Sequence, residues 1–157
     1  MKVAVLGAGA WGTTLADLLA RKGVSTTLWV REPELLAEMK ETGRNTWFLP
    51  KYDLCKDLAL HANPARALAG AQVFLLVVPS QFLRSTLVSF RDILPKKPIV
   101  VCASKGIENG TLAPMSTVVM EALEVLKPRY AVLSGPSFAD EVMRGLPTTV
   151  SLGCEDK

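Results

Sequence analysis

The chain has 157 residues, 49% of them hydrophobic, which suits one domain with a real core and excludes a disordered chain. Lys and Arg number 18 against 15 Asp and Glu, and the resulting net charge of +3 is too small to argue for nucleic acid, though it suits a pocket for phosphorylated ligands. No apolar run approaches the roughly 18 residues that span a bilayer, and the N-terminus enters a strand at once, so the expectation is a cytoplasmic protein with no membrane insertion.

Val3 to Leu6 read as a short buried strand, and Gly7, Gly9 and Gly12 then supply G-x-G-x-x-G spacing that opens a helix through Leu15, Leu18 and Leu19. Each glycine has its own task in such a turn. Gly7 permits the tight bend, Gly9 admits a pyrophosphate to the backbone, and Gly12 lets helix and strand pack closely. The N–H groups of residues 9 to 12 face the anion, aided by the helix dipole. Three glycines alone also fit an ordinary strand-to-helix turn; the preceding strand, and a second strand at the expected distance, favour the phosphate-binding reading.

Arg21-Lys22-Gly23 has the cations and glycine of a helix end, and Ser25 to Val30 is the second strand. At its carboxyl end an NAD site usually places an acidic residue against the ribose. Here Arg31 comes first, which favours NADP or dual use, while Glu32 beside it keeps NAD open. A solvated surface arginine is the plain alternative. Pro33 opens a helix through Leu35, Leu36 and Met39 that ends at Thr42-Gly43. Trp47 and Phe48 follow in a loop, either covering a nucleotide or packing beneath the connection, the latter favoured for Trp47.

Leu58 to His61 is a weak third strand, with His61 a strand or surface residue, and Pro64 opens a short helix ending near Gly70. Gln72 to Val78 is a continuous apolar run of the kind covered on both faces of a parallel sheet. A helix over 81–93, a strand at Ile99 to Ala103, a helix over 113–126, a strand at Tyr130 to Leu133, a helix after Ser137 and a strand at Thr148 to Leu152 complete the chain. Cys55, Cys102 and Cys154, odd in number and widely spaced, read as reduced thiols, and a lone histidine argues against a metal centre.

This alternation predicts an α/β Rossmann-like fold: a doubly wound, mostly parallel sheet with helices on both faces, binding its ligands outside the carboxyl ends of the strands. Those ends carry the glycine loop, Arg31, Pro79-Ser80, Ser104-Lys105-Gly106 and Ser134-Gly135-Pro136-Ser137. The set suits a nucleotide with a second, phosphorylated ligand beside it, although Ser, Gly and Pro are also ordinary turn residues.

Taken together, Gly7-Ala-Gly-Ala-Trp-Gly-Thr13, Leu28-Trp-Val-Arg31, Asn45 through Leu49-Pro50, Val77-Val-Pro-Ser80, Ser104-Lys-Gly-Ile-Glu108, Leu133-Ser-Gly-Pro-Ser-Phe-Ala-Asp-Glu141 and Gly145-Leu-Pro147 resemble the NAD(P)-dependent glycerol-3-phosphate dehydrogenases. The likeness runs through essentially the whole chain. It implies that residues 1–157 are the cofactor-binding domain, with Ala10, Trp11, Arg31, Phe48 and Ala139 on NAD or NADP, Lys105 on cofactor and substrate, and Gly135 and Ser137 on glycerol 3-phosphate. Ala10 stands where serine is frequent in the family, which reduces that contact to the backbone N–H. The resemblance further implies interconversion of sn-glycerol 3-phosphate and dihydroxyacetone phosphate for phospholipid synthesis, by a homodimer when intact. Its general acid/base lysine would lie in a helical C-terminal domain beyond this chain, leaving no catalytic residue and no metal within it.

Two other readings stay open. A β-hydroxyacid or ketopantoate-type reductase shares the glycine loop, though the Ser-Lys-Gly-Ile-Glu and Ser-Gly-Pro-Ser-Phe segments argue against it. A non-catalytic NAD(P)H-sensing module is the other, and a reading frame that stops at Lys157 would favour it over a dehydrogenase.

Overall fold

A computed structural model describes residues 1–154. Val3 to Leu6 are almost fully buried, as a strand covered on both faces must be, and they make up all of β1 (Lys2–Leu6) but its first residue. The chain continues through α1 (Ala10–Arg21), β2 (Ser25–Trp29), α2 (Pro33–Thr42), β3 (Ala59–His61), α3 (Pro64–Leu68) and β4 (Val73–Leu76). It then forms α4 (Ser80–Phe90), β5 (Ile99–Cys102), α5 (Met115–Ala122), β6 (Arg129–Ser134), α6 (Ala139–Met143) and β7 (Ser151–Cys154).

The seven strands lie in the order β3-β2-β1-β4-β5-β6-β7. All neighbours are parallel except β6 and β7, which run antiparallel with Leu133 opposite Leu152. From β1 the chain winds outward through β2 and β3, then returns to β4 on the other flank of β1. The order therefore reverses between β1 and β4, and there the loops leaving the two strands diverge and open a crevice.

Two apolar clusters sandwich the sheet. One packs α3, α4 and α5 on Phe74, Leu76, Val100 and Cys102; the other packs α1 and α2 on Val3, Val5, Leu28 and Leu75. Trp29 joins the first cluster edge-on to Phe90, with ring centroids 4.9 Å apart, and donates its indole N–H to the Ala62 carbonyl at 3.0 Å. A buried indole keeps its hydrogen bond in this way while its ring packs.

Several elements depart from their sequence-based bounds. The helix over 81–93 begins at Ser80 and tightens into a 3-10 turn at Arg91–Ile93, and the helix over 113–126 breaks into α5 and a 3-10 turn at Glu124–Leu126. The last strand falls at Ser151–Cys154 instead of Thr148 to Leu152, and all four residues are exposed. Trp47 is not packed beneath its loop but is exposed, with its indole N–H donated to Glu38 Oε1 at 3.3 Å. Among the described residues no helix is long and apolar enough to cross a membrane, and no group of three or more His, Cys, Asp or Glu is placed to hold a metal ion.

Candidate functional site

The crevice is built around the glycine turn. Gly7 has φ +117°, and a Cβ there would lie 2.8 Å from the Val77 carbonyl oxygen. Gly12, in the first turn of α1, is pressed so closely on β1 that a Cβ would meet the Gly7 carbonyl oxygen at 1.9 Å. Gly9 differs from both. It is the N-cap of α1 in extended backbone, with no side-chain cap, and a Cβ on it would meet nothing within 4 Å. The N–H groups of Ala10, Trp11 and Gly12 precede the first intrahelical bond, from the Thr13 N–H to the Gly9 carbonyl at 2.9 Å, and no side chain of Gly9 caps them.

Hollows flank this turn on either side of the switch point, and both include Val77, Val78 and Pro79 at the end of β4. Toward β2, a hollow of about 280 Å³ gathers Gly7, Gly9, Trp29, Arg31, Phe48 and Phe82. The Arg31 guanidinium lies 5.8 Å from the centroid of the Phe82 ring, within cation–π range, and 3.9 Å from Glu32. Toward β5, a hollow of about 270 Å³ is lined by Trp11, Lys105, Ser137, Phe138 and Ala139 among others. Lys105 is the one titratable side chain among its described lining residues. Such a crevice takes an elongated ligand that is anionic at its middle and largely apolar at both ends.

Not every site residue read from the sequence lines these hollows. Gly12 is buried under the turn, and Ala10 supplies the first residue of α1. Gly135 has a packing reason of its own: at φ +147°, a Cβ would stand 2.8 Å from the Thr149 carbonyl oxygen. It lets residues 149 and 150 approach the loop that presents Ser137.

The structure also reveals groups that sequence reasoning missed. Asn45, fully buried, donates from Nδ2 to the Ala8 carbonyl and to Thr13 Oγ1, both at 2.8 Å, and its Oδ1 accepts the Phe48 N–H at 3.1 Å. One amide thus ties the Phe48 loop to the glycine turn. Farther along that loop, buried Asp17 of α1 accepts the Cys55 N–H and pairs with Arg21, each at 2.6 Å. The Tyr52 hydroxyl donates to Asp140 at the start of α6, linking the loop to the opposite wall. Phe82 carried the clearest overlooked signal, because a large apolar residue in the first turn of a helix leaving the switch-point strand is directed toward the crevice.

The segment bearing Lys105 is held mainly by polar contacts. Arg84 of α4 donates Nε and Nη2 to the two Glu108 carboxylate oxygens at 2.8 and 2.9 Å, and pairs with Glu121 of α5 at 2.7 Å. The Thr111 hydroxyl also donates to Glu108, at 2.6 Å. These donors lower the Glu108 carboxyl from its ordinary 4.5 to about 2, with Arg84 the largest cause, while the two carboxylates raise the Arg84 guanidinium. A lowered folded-state pKa means that the stabilisation is complete above about pH 4.5 and is lost as pH falls toward 2. Glu108→Gln is therefore expected to flatten the acid limb of the melting-temperature profile between those limits, while an unchanged limb would exclude the pair as its source.

Comparison with known proteins decides what this arrangement belongs to. The family profile described as NAD-dependent glycerol-3-phosphate dehydrogenase N-terminus matches residues 2–157. The chain belongs to this family. It is 59% identical over 157 residues to a glycerol-3-phosphate dehydrogenase (NAD(P)+) of Maridesulfovibrio salexigens, covering all of this chain and 48% of that protein. With the protein of the same name from Solidesulfovibrio magneticus the identity is 50% over 157 residues, again at full coverage here and 48% there. The crystal structure of glycerol-3-phosphate dehydrogenase from Coxiella burnetii superimposes with a TM-score of 0.92 at 35% identity, over 99% of this chain and 47% of that one. The chain spans about half the length of the curated relatives it matches. Membership in the glycerol-3-phosphate dehydrogenase family favours that resemblance over the ketopantoate-type alternative.

Proposed function

We propose that this chain is the dinucleotide-binding half of an NAD(P)-dependent glycerol-3-phosphate dehydrogenase, which interconverts sn-glycerol 3-phosphate and dihydroxyacetone phosphate. The observation that carries the reading is the uncapped start of α1 at Gly9, lying between a hollow with Arg31 and one with Lys105. A dinucleotide fits this donor set: its anionic pyrophosphate matches the free N–H groups, and its two ring systems match the flanking hollows. Gly7, Gly9, Ala10, Trp11 and Gly12 form or support the cradle. Arg31 and Phe48 hold the adenosine half, and Trp11, Lys105 and Ala139 the nicotinamide half. Lys105 and Ser137 receive the phosphorylated substrate, with Gly135 setting the path of the loop.

The bound nicotinamide supplies or accepts the hydride. The chain's own residues orient the two ligands and stabilise charge: Lys105, with its ammonium in the hollow it shares with Ser137, favours negative charge on a substrate oxygen or phosphate. The general acid/base belongs to a helical domain outside residues 1–157. The intact enzyme acts as a cytoplasmic homodimer supplying glycerol 3-phosphate for phospholipid synthesis. Membership in the family supports these last assignments.

Fluorescence titration with NADPH and NADH tests the reading directly. Charge-assisted hydrogen bonds contribute about 1.5–3 kcal/mol, so Arg31→Ala is expected to weaken NADPH roughly tenfold to a hundredfold and NADH much less. Equal losses would assign Arg31 to adenine stacking over Phe82 instead of the 2′-phosphate. Failure of the parent chain to bind either nucleotide would overturn the proposed function.

A further inference from the structure

We infer that Arg84 is a positioning residue for Lys105, acting through Glu108. The inference rests on Lys105 being a cofactor and substrate contact, as proposed above. Between the end of β5 at Cys102 and the start of α5 at Met115 the chain runs along the rim with little apolar anchorage: Ile107 and Leu112 are 50% and 71% exposed. Three residues in this connection, Gly106 at φ +111°, Gly110 at φ +84° and Leu112 at φ +58°, have positive φ, a region that an L residue such as leucine adopts only when its surroundings impose it. Something other than core packing must fix the path.

Backbone bonds close the turn, from the Glu108 N–H to the Ala113 carbonyl and from the Leu112 N–H to the Glu108 carbonyl, both at 2.9 Å, and two side chains three residues apart on α4 tie it to the wall of the crevice. Gln81 donates from Nε2 to the Ile107 carbonyl and accepts the Asn109 N–H at Oε1, both at 2.8 Å. Arg84 grips Glu108 with two nearly parallel bonds, and the carboxylate, largely buried with 12% of its side chain exposed, is further held by Thr111. The backbone on either side of Glu108 is thereby pinned, three residues after Lys105. A third contact of Arg84, to Glu121, connects the grip to α5, so the guanidinium has one preferred orientation. On the near side of Lys105, the Ser104 hydroxyl donates to the Val78 carbonyl at 2.6 Å. Lys105 thus stands between a point tied to β4's end and a point tied to α4, both belonging to the wall of the crevice. Its own ammonium needs no part in this scaffold and stays available to a ligand.

A cation held in place loses less freedom when it meets its anion than one on a mobile loop, and that saving appears as affinity. Arg84→Gln keeps most of the aliphatic stem but loses the fork, and Glu108→Gln keeps the shape but loses the charge. Each is expected to weaken NADPH binding to this chain about three- to tenfold, with Arg84→Lys falling between parent and Arg84→Gln.

The decisive measurement is a double-mutant cycle by NADPH fluorescence titration, with thermal melting of every variant alongside. If Arg84 acts through Lys105, Arg84→Gln should weaken binding by less than about twofold when Lys105→Ala is already present. Equal losses in both backgrounds, or no loss from Arg84→Gln where Lys105→Ala does weaken binding, would overturn the positioning role. An unchanged affinity in Lys105→Ala would instead overturn the assignment of Lys105 itself, and this inference with it. A melting decrease large enough to leave Arg84→Gln partly unfolded at the assay temperature moves the cycle to Glu108→Gln, for which the same two outcomes decide.

Discussion

Gly9→Val is expected to leave the chain folded and abolish most dinucleotide affinity, whereas Gly12→Ala is expected to damage the fold itself. The contrast follows from where each missing Cβ would point. At Gly9 the backbone is extended, at φ −67° and ψ 179°, which valine adopts freely, and no atom lies within 4 Å of the added carbon. The cost to the free chain is limited to replacing glycine at a helix N-cap by a poorer residue, about 1 kcal/mol or less. The isopropyl group would instead occupy the space in front of the first N–H groups of α1. Each charge-assisted bond denied there is worth about 1.5–3 kcal/mol, so losing even one weakens NADH and NADPH alike by roughly tenfold to a hundredfold. Gly12→Ala places a methyl 1.9 Å from the Gly7 carbonyl oxygen, a backbone atom that cannot swing aside. Helix and strand must separate, at about 3 kcal/mol or more for overpacking, which in a domain of this size lowers the melting temperature by roughly 6–12 °C. Calorimetric melting and nucleotide titration of both variants separate the two roles. A Gly9→Val chain that melts like the parent and still binds both nucleotides would remove this turn as the phosphate site, and a Gly12→Ala chain of parental stability would contradict the close approach of α1 to β1.

The second large effect concerns turnover. This chain of 157 residues is expected to bind NADPH yet not to oxidise it with dihydroxyacetone phosphate at a measurable rate. Beside Lys105, the hollow toward β5 has no titratable group among its described lining residues, and the carboxylates nearby in sequence are engaged elsewhere. Asp140 accepts from Tyr52 and pairs with Arg144 at 3.2 Å, Glu108 is held by Arg84, and Glu141 lies in the first turn of α6, where an acidic residue is favoured by the helix dipole. His61 sits on β3, two strands from the switch point, with its carbonyl accepting the Val30 N–H at 3.0 Å. Proton transfer from a positioned group contributes a factor of about 10²–10⁴, and a domain closing over the substrate adds positioning and exclusion of water. Both deficits act on the same step. A spectrophotometric assay of NADPH oxidation run beside a calorimetric titration distinguishes the cases: binding without turnover is the expected result, while steady turnover by the purified chain would place the proton-transferring group within residues 1–157.

Local pattern alone determined the dinucleotide-type framework of this protein. Apolar runs at Val3 to Leu6 and Gln72 to Val78 mark buried parallel strands because both faces of such strands are covered, and glycines at 7, 9 and 12 mark the turn by their spacing, Gly7 and Gly12 where a Cβ would clash with backbone and Gly9 where the space stays open. The placement of Arg31 and Lys105 at the crevice was legible because each comes within three residues of a strand's carboxyl end, and strand ends in this architecture face the crevice. The tertiary structure decided what depends on partners remote in sequence. Asn45 meets Ala8 across 37 residues, Arg84 meets Glu108 across 24, and Phe82 comes under Arg31 only once β2 and β4 are paired on either side of β1. Hydrophobic periodicity carries no record of such pairings. The place of β7 escaped for a related reason: its four residues are exposed, so no buried face fixes its register, and its antiparallel pairing with β6 is set by the chain's return past Gly135.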